Sequence, residues 1–211
     1  MVFADIPRVG VTGGMGSGKT TVCRIFHESL GIPVFYADEW AKKLIATDPI
    51  LRAGIQQIFG PEAYQGEAYN RAYVAKIAFS EPEKLAALNA LVHPAVEEAS
   101  RAWHAEQSQT GAPYTLKEAA LLIESGGHRH LDYLIVVTAP EALRLARVKA
   151  RDGLSEAQIL ARIRKQLPEN EKITLADRVI VNDGEQLLLP QIWAVHHDIL
   201  LLKNGVLDLG A

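Results

Sequence analysis

Cysteine is almost absent from this sequence: Cys23 is the only one among 211 residues, so no disulfide can form within the chain. We also expect no cleavable signal peptide, and the sequence has no apolar run of about 18 residues, the length that a membrane-spanning helix needs. Basic residues are not in excess, since 22 Lys and Arg face 25 Asp and Glu for a net charge of -3. This balance argues against nucleic acid or an anionic membrane as the main partner. We expect a cytoplasmic enzyme that acts on a small molecule.

The hydrophobic residues, 48% of the chain, are arranged for an α/β fold. Short apolar runs predict strands at 8–12, 32–36, 120–123, 133–137 and 179–181, and helical spacing follows several of them. Such alternation is typical of parallel strands with crossover helices on both faces of the sheet.

Residues 40–113 depart from this alternation with mainly helical patterns. We interpret them as an insertion into a core formed by residues 1–39 and 114–211. The predicted breaks between its helices are at Asp48-Pro49, from Gly60-Pro61 to Gly66, at Glu81-Pro82 and at His93-Pro94. In the second part of the core, Ser155 and Gln158 have the spacing of a helix capping box, which predicts a helix from there to about Leu167.

A glycine-rich loop follows the first predicted strand and precedes a predicted helix. Its residues are Gly13, Gly14, Met15, Gly16, Ser17, Gly18, Lys19 and Thr20, with Thr21 next, and their spacing is that of a P-loop. The glycines let phosphate oxygens approach the main chain, where N–H groups and the positive end of the helix hold the β-phosphate. Lys19 is expected to bridge the β- and γ-oxygens, and the Thr20 hydroxyl to bind Mg²⁺. We therefore predict a P-loop NTPase-type parallel sheet flanked by helices, which binds ATP with Mg²⁺.

Two acidic residues follow predicted strands on the edge of the sheet where ligands bind. We interpret Asp38 as the carboxylate that orients an attacking hydroxyl and accepts its proton. Alternatively, Asp38 only caps a helix that begins at Glu39 or Trp40. Glu124 follows the run 120–123 and would support Mg²⁺ through water or contact the substrate; an acid at a helix N-terminus is the alternative.

A basic segment between Arg144 and Lys165 contains seven basic and two acidic residues. Cations concentrated around the hinge-like Asp152-Gly153 suit a lid, at about 144–168, that closes over a triphosphate. Arg147 and Arg151 are one helical turn apart, so they can point at one target. A solvated basic helix face is the alternative.

Six segments, in this order, resemble the dephospho-CoA kinase family. They are Thr12 to Thr21, Tyr36-Ala37-Asp38, Leu91-Val92-His93-Pro94, Leu121-Leu122-Ile123-Glu124, Arg147-x3-Arg151-Asp152-Gly153 and Ala176-Asp177-x3-Val181-Asn182-Asp183-Gly184. The resemblance covers nearly the whole chain. It implies transfer of phosphate from ATP to the ribose 3′-hydroxyl of dephospho-CoA, the last step of coenzyme A synthesis. It also implies a P-loop core, a helical substrate-binding insertion and a lid.

The resemblance also implies roles for single residues. Asp38 becomes the catalytic carboxylate on the acceptor side, with Arg147 and Arg151 in the lid facing ATP. Arg71 and His93 become candidates for binding dephospho-CoA, although a histidine before Pro94 is otherwise typical of a helix boundary. Asn182 and Gly184 would lie in a loop near the adenine of ATP.

Two departures from the family pattern fall near the acceptor pocket. Ala120 stands where the family usually has proline, and Lys117-Glu118 places unusual charges before it. The alternative function is a nucleoside or nucleotide kinase, with a different acceptor pocket. A guanine-nucleotide switch is a more distant alternative, since the chain has no Asn-Lys-x-Asp motif.

Overall fold

The computed structural model describes residues 6–153, 155–164 and 166–203. Within them the chain forms two compact units. The second unit is Tyr36–Trp103, and the described residues on either side of it form the first unit. None of the helices in these ranges combines the length and the apolar character that a membrane crossing needs.

The elements follow in chain order. The strands are β1 (Arg8–Thr12), β2 (Val34–Tyr36), β3 (Tyr64–Gln65), β4 (Ala68–Tyr69), β5 (Thr115–Glu118), β6 (Tyr133–Thr138) and β7 (Arg178–Val181). The α-helices are α1 (Lys19–Leu30), α2 (Ala37–Thr47), α3 (Pro49–Phe59), α4 (Arg71–Ser80), α5 (Pro82–Ser108), α6 (Glu141–Asp152), α7 (Glu156–Ile163), α8 (Glu169–Thr174) and α9 (Leu188–Lys203).

A five-stranded sheet in the order β2-β5-β1-β6-β7 organises the first unit. Strand β1 pairs in parallel with both β5 and β6, and β6 pairs in parallel with β7. Both β1 and β6 are buried almost throughout, as expected for parallel strands covered on both faces. The predicted fold class, a P-loop-type parallel sheet flanked by helices, is confirmed.

Several helix boundaries agree with the sequence signals. Helix α1 ends where Gly31 takes the left-handed conformation, with φ 67°. Helix α7 begins behind Ser155, which forms a complete capping box with Gln158. Helix α9 buries the stripe Ile192, Val195 and Ile199 and lies against α1 and β7.

The second unit has a hydrophobic core of its own. Asp48 caps α3 by accepting hydrogen bonds from the Ile50 and Leu51 amides, and Pro49 occupies the first helical position, which needs no N–H donor. The buried residues of this core are Ile55, Phe59, Ala63, Tyr64 and Val74. The Tyr64 hydroxyl also donates to Ile45 O at 2.7 Å.

The strand predicted at 120–123 is wrong. The strand lies earlier, at Thr115–Glu118, and residues 120–126 form turns. The strand was missed because its residues Lys117 and Glu118 are charged, although Lys117 is buried. Leu122 and Ile123 are also buried, but not as part of a strand. They pack from the turn onto Leu134 and Val136. Burial alone therefore did not distinguish a strand from a packed turn.

Two helix boundaries also differ from the prediction. The break predicted at His93-Pro94 is absent, because α5 continues through Pro94 over 27 residues. An internal proline removes one helical hydrogen bond, and the packing of Val92, Val96 and Ser100 holds the helix on both sides of it. Helix α7 ends at Ile163 rather than at about Leu167.

Candidate functional site

The glycine-rich loop connects β1 to α1. Within it, Ser17 N donates to Gly14 O at 3.1 Å. Gly18 precedes the helix in the left-handed conformation, with φ 94°. A side chain there would be strained by this φ, and its Cβ would lie 2.1 Å from Asn182 Nδ2. The positive φ therefore favours glycine at position 18, and a side chain there would also have to displace the Asn182 amide from Ser17 O.

The Lys19 side chain is fixed by the main chain of the loop. Its Nζ donates to Gly13 O at 3.1 Å and to Gly14 O at 3.2 Å, and the residue is only 8% exposed. Thr20 and Thr21 follow in the first turn of α1 and are exposed. The loop thus combines an ammonium group, hydroxyl groups and the positive end of a helix, which are the groups that a triphosphate requires.

Asn182 joins the phosphate loop to the end of β7. Its Nδ2 donates to Ser17 O at 2.8 Å. Arg147 of α6 donates to Asn182 twice, from NH1 to the main-chain oxygen at 3.0 Å and from NH2 to Oδ1 at 3.4 Å. The structure therefore brings together three sequence-predicted site residues, Ser17, Arg147 and Asn182, in one hydrogen-bonded chain.

The turn after Asn182 is held by Asp183. Its Oδ1 accepts hydrogen bonds from the Glu185 and Gln186 amides, both at 2.9 Å. These amides lower the pKa of Asp183, so its carboxylate remains charged. Gly184 has φ 90°, and nothing lies where its Cβ would be. The turn at 182–184 is thus a firmly shaped surface beside the phosphate loop.

Arg151 has a different partner from Arg147. Its Nε and NH2 donate to the two carboxylate oxygens of Asp152 at 2.7 and 2.9 Å, and the guanidinium is largely exposed. This contact raises the pKa of Arg151 and lowers that of Asp152. The two arginines are one turn apart on α6, as predicted, but they do not share a target in this structure.

Arg144, which sequence reasoning counted only among the seven basic residues of the predicted lid, lies beside the glycine-rich loop. It is 6% exposed, and a Cβ on Gly14 would lie 2.1 Å from its NH1. Its NH2 lies 3.0 Å from Glu169 Oε2, and Glu169 also accepts a hydrogen bond from Thr138. The signal was present, because Arg144 and Val148 are buried on one face of α6, which places an arginine on an apolar stripe.

Glu124 lies in the turn after β5 rather than at the end of a strand. Its Oε1 accepts from the Leu167 amide at 2.9 Å and lies 2.8 Å from Nζ of Lys172, which is 1% exposed. Burial alone would raise the pKa of Glu124, but the ion pair with Lys172 and the hydrogen bond from the Leu167 amide outweigh it and lower the pKa. In this structure Glu124 is an anchor for the segment after α7.

The acid that does end β5 is Glu118, which stands opposite Val11 of β1. Burial of the Cys23 thiol is the largest cause of its raised pKa. The charge of Glu118 raises this pKa further, and the charge of Lys19 lowers it. Glu118 therefore lies near the first turns of α1. Sequence reasoning noticed it only as an unusual charge, since the strand was predicted five residues too late in the chain.

Three of the acceptor-side candidates, Asp38, Arg71 and His93, lie in the unit Tyr36–Trp103, whereas Glu124 belongs to the first unit. Asp38 is exposed and is the second residue of α2, whose N-cap is Tyr36, so the interpretation of Asp38 as the cap is wrong. Arg71 is the exposed first residue of α4. His93 lies inside α5 rather than at a helix boundary, and partial burial lowers its pKa.

A parallel sheet of this order, with the phosphate loop after its central strand and basic helices beyond, defines a P-loop kinase. The dephospho-CoA kinase family model matches residues 8–187. A dephospho-CoA kinase from Salinibacter ruber is 45% identical over 83% of this chain and 88% of its own length. One from Chlorobaculum tepidum is 44% identical over 91% of this chain and 94% of its own. A crystal structure of a protein from Thermus thermophilus is 36% identical in sequence and has a TM-score of 0.77. The match covers 93% of this chain and 97% of that protein.

The chain belongs to the dephospho-CoA kinase family. The family predicted from six sequence segments is therefore confirmed, and with it the kinase class. The nucleoside kinase and nucleotide switch alternatives are not favoured by any of these matches.

Proposed function

We propose that the protein transfers the terminal phosphate of ATP to the ribose 3′-hydroxyl of dephospho-CoA, giving coenzyme A and ADP. The observation that carries this proposal is the phosphate loop with its fixed ammonium group: Lys19 Nζ is held by Gly13 O and Gly14 O at the start of α1. Membership of the dephospho-CoA kinase family supports the choice of acceptor.

On the ATP side, Gly13 to Thr21 would bind the phosphates through main-chain N–H groups, and Lys19 would bridge the β- and γ-oxygens. Asn182 and Gly184 would line the adenine. Arg147 of α6 is hydrogen-bonded to Asn182, which in turn donates to Ser17 O of the phosphate loop. Arg147 and Arg151 would neutralise charge on the transferred group once the lid has closed.

Mg²⁺ fits the residues near the first turn of α1. Within the described part of the chain, no cluster of three His, Cys, Asp or Glu could hold a metal ion by itself. Mg²⁺ usually binds through few protein oxygens together with phosphates and water. The exposed Thr20 hydroxyl supplies one such oxygen, and Glu118 places a carboxylate near the same helix. The ion would supply neutralisation of charge on the β- and γ-phosphates.

On the acceptor side, Asp38 would receive the hydrogen bond of the 3′-hydroxyl. As the ribose oxygen forms its bond to the γ-phosphorus, the bond from that phosphorus to the β,γ-bridging oxygen breaks. The hydroxyl proton passes to the Asp38 carboxylate, and ADP leaves with the electrons of the broken bond. Arg71 and His93, together with Glu124 if its anchoring contact opens, are the candidates for holding the rest of dephospho-CoA.

The two parts of the chain would divide these tasks. Residues 40–113 would bind the acceptor, and the core of 1–39 and 114–211 would bind ATP, with a lid at about 144–168. Helices α6 and α7 lie in this lid segment, and Gly153 between them has φ 64°. Leu154 and Lys165 of the segment lie outside the described residues. The acceptor and ATP are metabolites, which fits a cytoplasmic location.

A coupled assay of ADP release tests the proposal. Dephospho-CoA, adenosine and AMP are compared as acceptors, each with ATP and with GTP as the donor. We expect kcat/KM with ATP and dephospho-CoA to exceed every other combination by at least about 10²-fold. Equal or better turnover of adenosine or AMP would identify a nucleoside or nucleotide kinase instead.

A further inference from the structure

The segment that follows α7 is attached to the first unit at several points that the proposed catalytic roles do not use. Gln166 contacts both the phosphate loop and the turn after β5. Glu169 and Lys172 form ion pairs with Arg144 and Glu124. These contacts concentrate within seven consecutive positions, from 166 to 172.

Gln166 makes two hydrogen bonds of opposite direction. Its Oε1 accepts from the Met15 amide at 2.9 Å, and its Nε2 donates to the Ala120 carbonyl at 3.1 Å. The reversed amide would place a donor against the Met15 N–H and an acceptor against the Ala120 oxygen. Both partners therefore fix the same orientation of the amide.

The Met15 N–H belongs to the same peptide group as the Gly14 carbonyl, which contacts the Lys19 ammonium group. Met15 follows Gly14, whose carbonyl oxygen accepts from Lys19 Nζ at 3.2 Å. This ammonium group is the one expected to contact the β- and γ-oxygens of ATP. A displacement of Met15 would therefore move the Gly14 carbonyl and change the place of the ammonium group.

Two ion pairs hold Gln166 in reach of the loop. Arg144 and Glu169 lie 3.0 Å apart with side chains 7% and 23% exposed, and Lys172 and Glu124 lie 2.8 Å apart with side chains 1% and 15% exposed. Because these pairs are mostly removed from water, they are screened little by salt. They anchor the main chain on which Gln166 stands.

We infer that Gln166 is a positioning residue for the phosphate loop: it holds the Met15 amide and thereby sets the place of the Lys19 ammonium group. It acts through Met15 and needs no contact with substrate. The kinetic part of this inference rests on the proposed function, whereas the structural part does not.

Gln166→Met tests the inference, because it keeps the length of the side chain and removes both hydrogen bonds. Gln109→Met makes the same chemical change in an exposed turn and is the matched control. Amide hydrogen exchange of Met15, followed by NMR, is the first measurement. We expect exchange at Met15 to become about tenfold faster in Gln166→Met, as the loss of a neutral hydrogen bond predicts, with Ile135 in β6 unchanged.

Steady-state kinetics are the second measurement. We expect kcat/KM for ATP to fall about tenfold in Gln166→Met while the KM for dephospho-CoA stays within about twofold. A purely structural residue would change the parameters of both substrates or neither. Gln109→Met should behave as the unaltered protein does.

Gln166→Glu tests the orientation of the amide. Its carboxylate still accepts from the Met15 N–H but cannot donate to Ala120 O, so we expect Met15 to stay protected more than in Gln166→Met. Equal loss of protection in both variants would overturn the assignment of Oε1 to Met15.

Three further results would overturn the inference. The first is unchanged amide exchange at Met15 in Gln166→Met, and the second is unchanged kcat/KM for ATP despite faster exchange. The third is a uniform rise of exchange that includes Ile135, which would show that Gln166 stabilises the whole unit. Failure of the unaltered protein to phosphorylate dephospho-CoA would instead count against the proposed function, and the exchange result would remain interpretable.

Discussion

Asn182 donates from Nδ2 to the main-chain oxygen of Ser17, 2.8 Å away and 165 positions earlier in the chain. The same residue accepts two hydrogen bonds from Arg147. The phosphate loop, the turn after β7 and helix α6 are thereby connected through one side chain. Substitution of Ser17, Arg147 or Asn182 should therefore change the affinity for the nucleotide.

A double-mutant cycle tests this connection. We expect Asn182→Leu to raise the Kd for ATP about tenfold, since Ser17 O loses its donor beside the phosphates. Arg147→Met should also weaken ATP binding, and the double variant should lose less than the sum of both effects in free energy, because the residues share a contact. Titration calorimetry with ATP measures all four proteins. Strictly additive losses would contradict the proposed coupling.

Lys19→Ala should abolish detectable transfer, because the ammonium group at the β- and γ-oxygens is removed. The measurement is ADP release at saturating dephospho-CoA. Lys203→Ala removes a lysine from the exposed end of α9 and should leave turnover unchanged. Near-normal turnover of Lys19→Ala would refute the assignment of the loop to ATP.

Asp38→Asn should reduce kcat by about 10²-fold or more, because the amide cannot accept the hydroxyl proton. The Kd for ATP should be retained. Glu39→Gln changes the neighbouring exposed acid in the same first turn of α2 and is the matched control. Weaker ATP binding at unchanged kcat would show that Asp38 serves the nucleotide rather than the acceptor.

Glu124→Gln should lower the free energy of unfolding by about 3 kcal/mol at neutral pH, because Lys172 remains buried without its carboxylate partner. Urea titration measures this free energy, with Glu171→Gln on the exposed side of α8 as the control.

The same contribution should depend on pH. The folded pKa of Glu124 lies below its ordinary value of 4.5, so the native state binds fewer protons than the unfolded state. The stabilisation is thus complete above pH 4.5 and is lost as the pH falls through the folded pKa. A difference between the proteins that persists far below this range would contradict the ion-pair explanation.

Trypsin should cleave at the exposed Arg151, Arg162 and Arg164 more slowly when a non-hydrolysable ATP analogue and dephospho-CoA are both present. Closure of a lid would withdraw these sites from the protease. Cleavage after Lys203 provides the internal reference. If ligands leave the ratio of these cleavage rates unchanged, the segment does not close.

The parts of the fold that sequence reasoning predicted well have local causes. Strand β1, the glycines of the loop and the Gly31 helix end each follow from neighbouring residues, as does the Ser155 capping box. Strand β5 was missed because Lys117 is buried within it, which depends on the surrounding fold rather than on the strand's own pattern.

The missed site residues have distant partners. Gln166 is 151 positions from Met15, and Lys172 reaches Glu124 from a different element. Nothing in the immediate sequence of either residue specifies such a partner. Arg144 is the exception, since its place on the buried face of α6 was visible in the helical spacing.

Strands β2 and β5 are neighbours in the sheet, although the whole unit Tyr36–Trp103 is inserted between them. The entropy of closing such a connection grows only with the logarithm of its length, about 0.6 kcal/mol for each doubling. The inserted unit can therefore gain or lose helices, or be replaced, while β1 keeps both its neighbours. If residues 40–113 bind the acceptor as proposed, a new acceptor preference could evolve without rearrangement of the sheet that carries the glycine-rich loop.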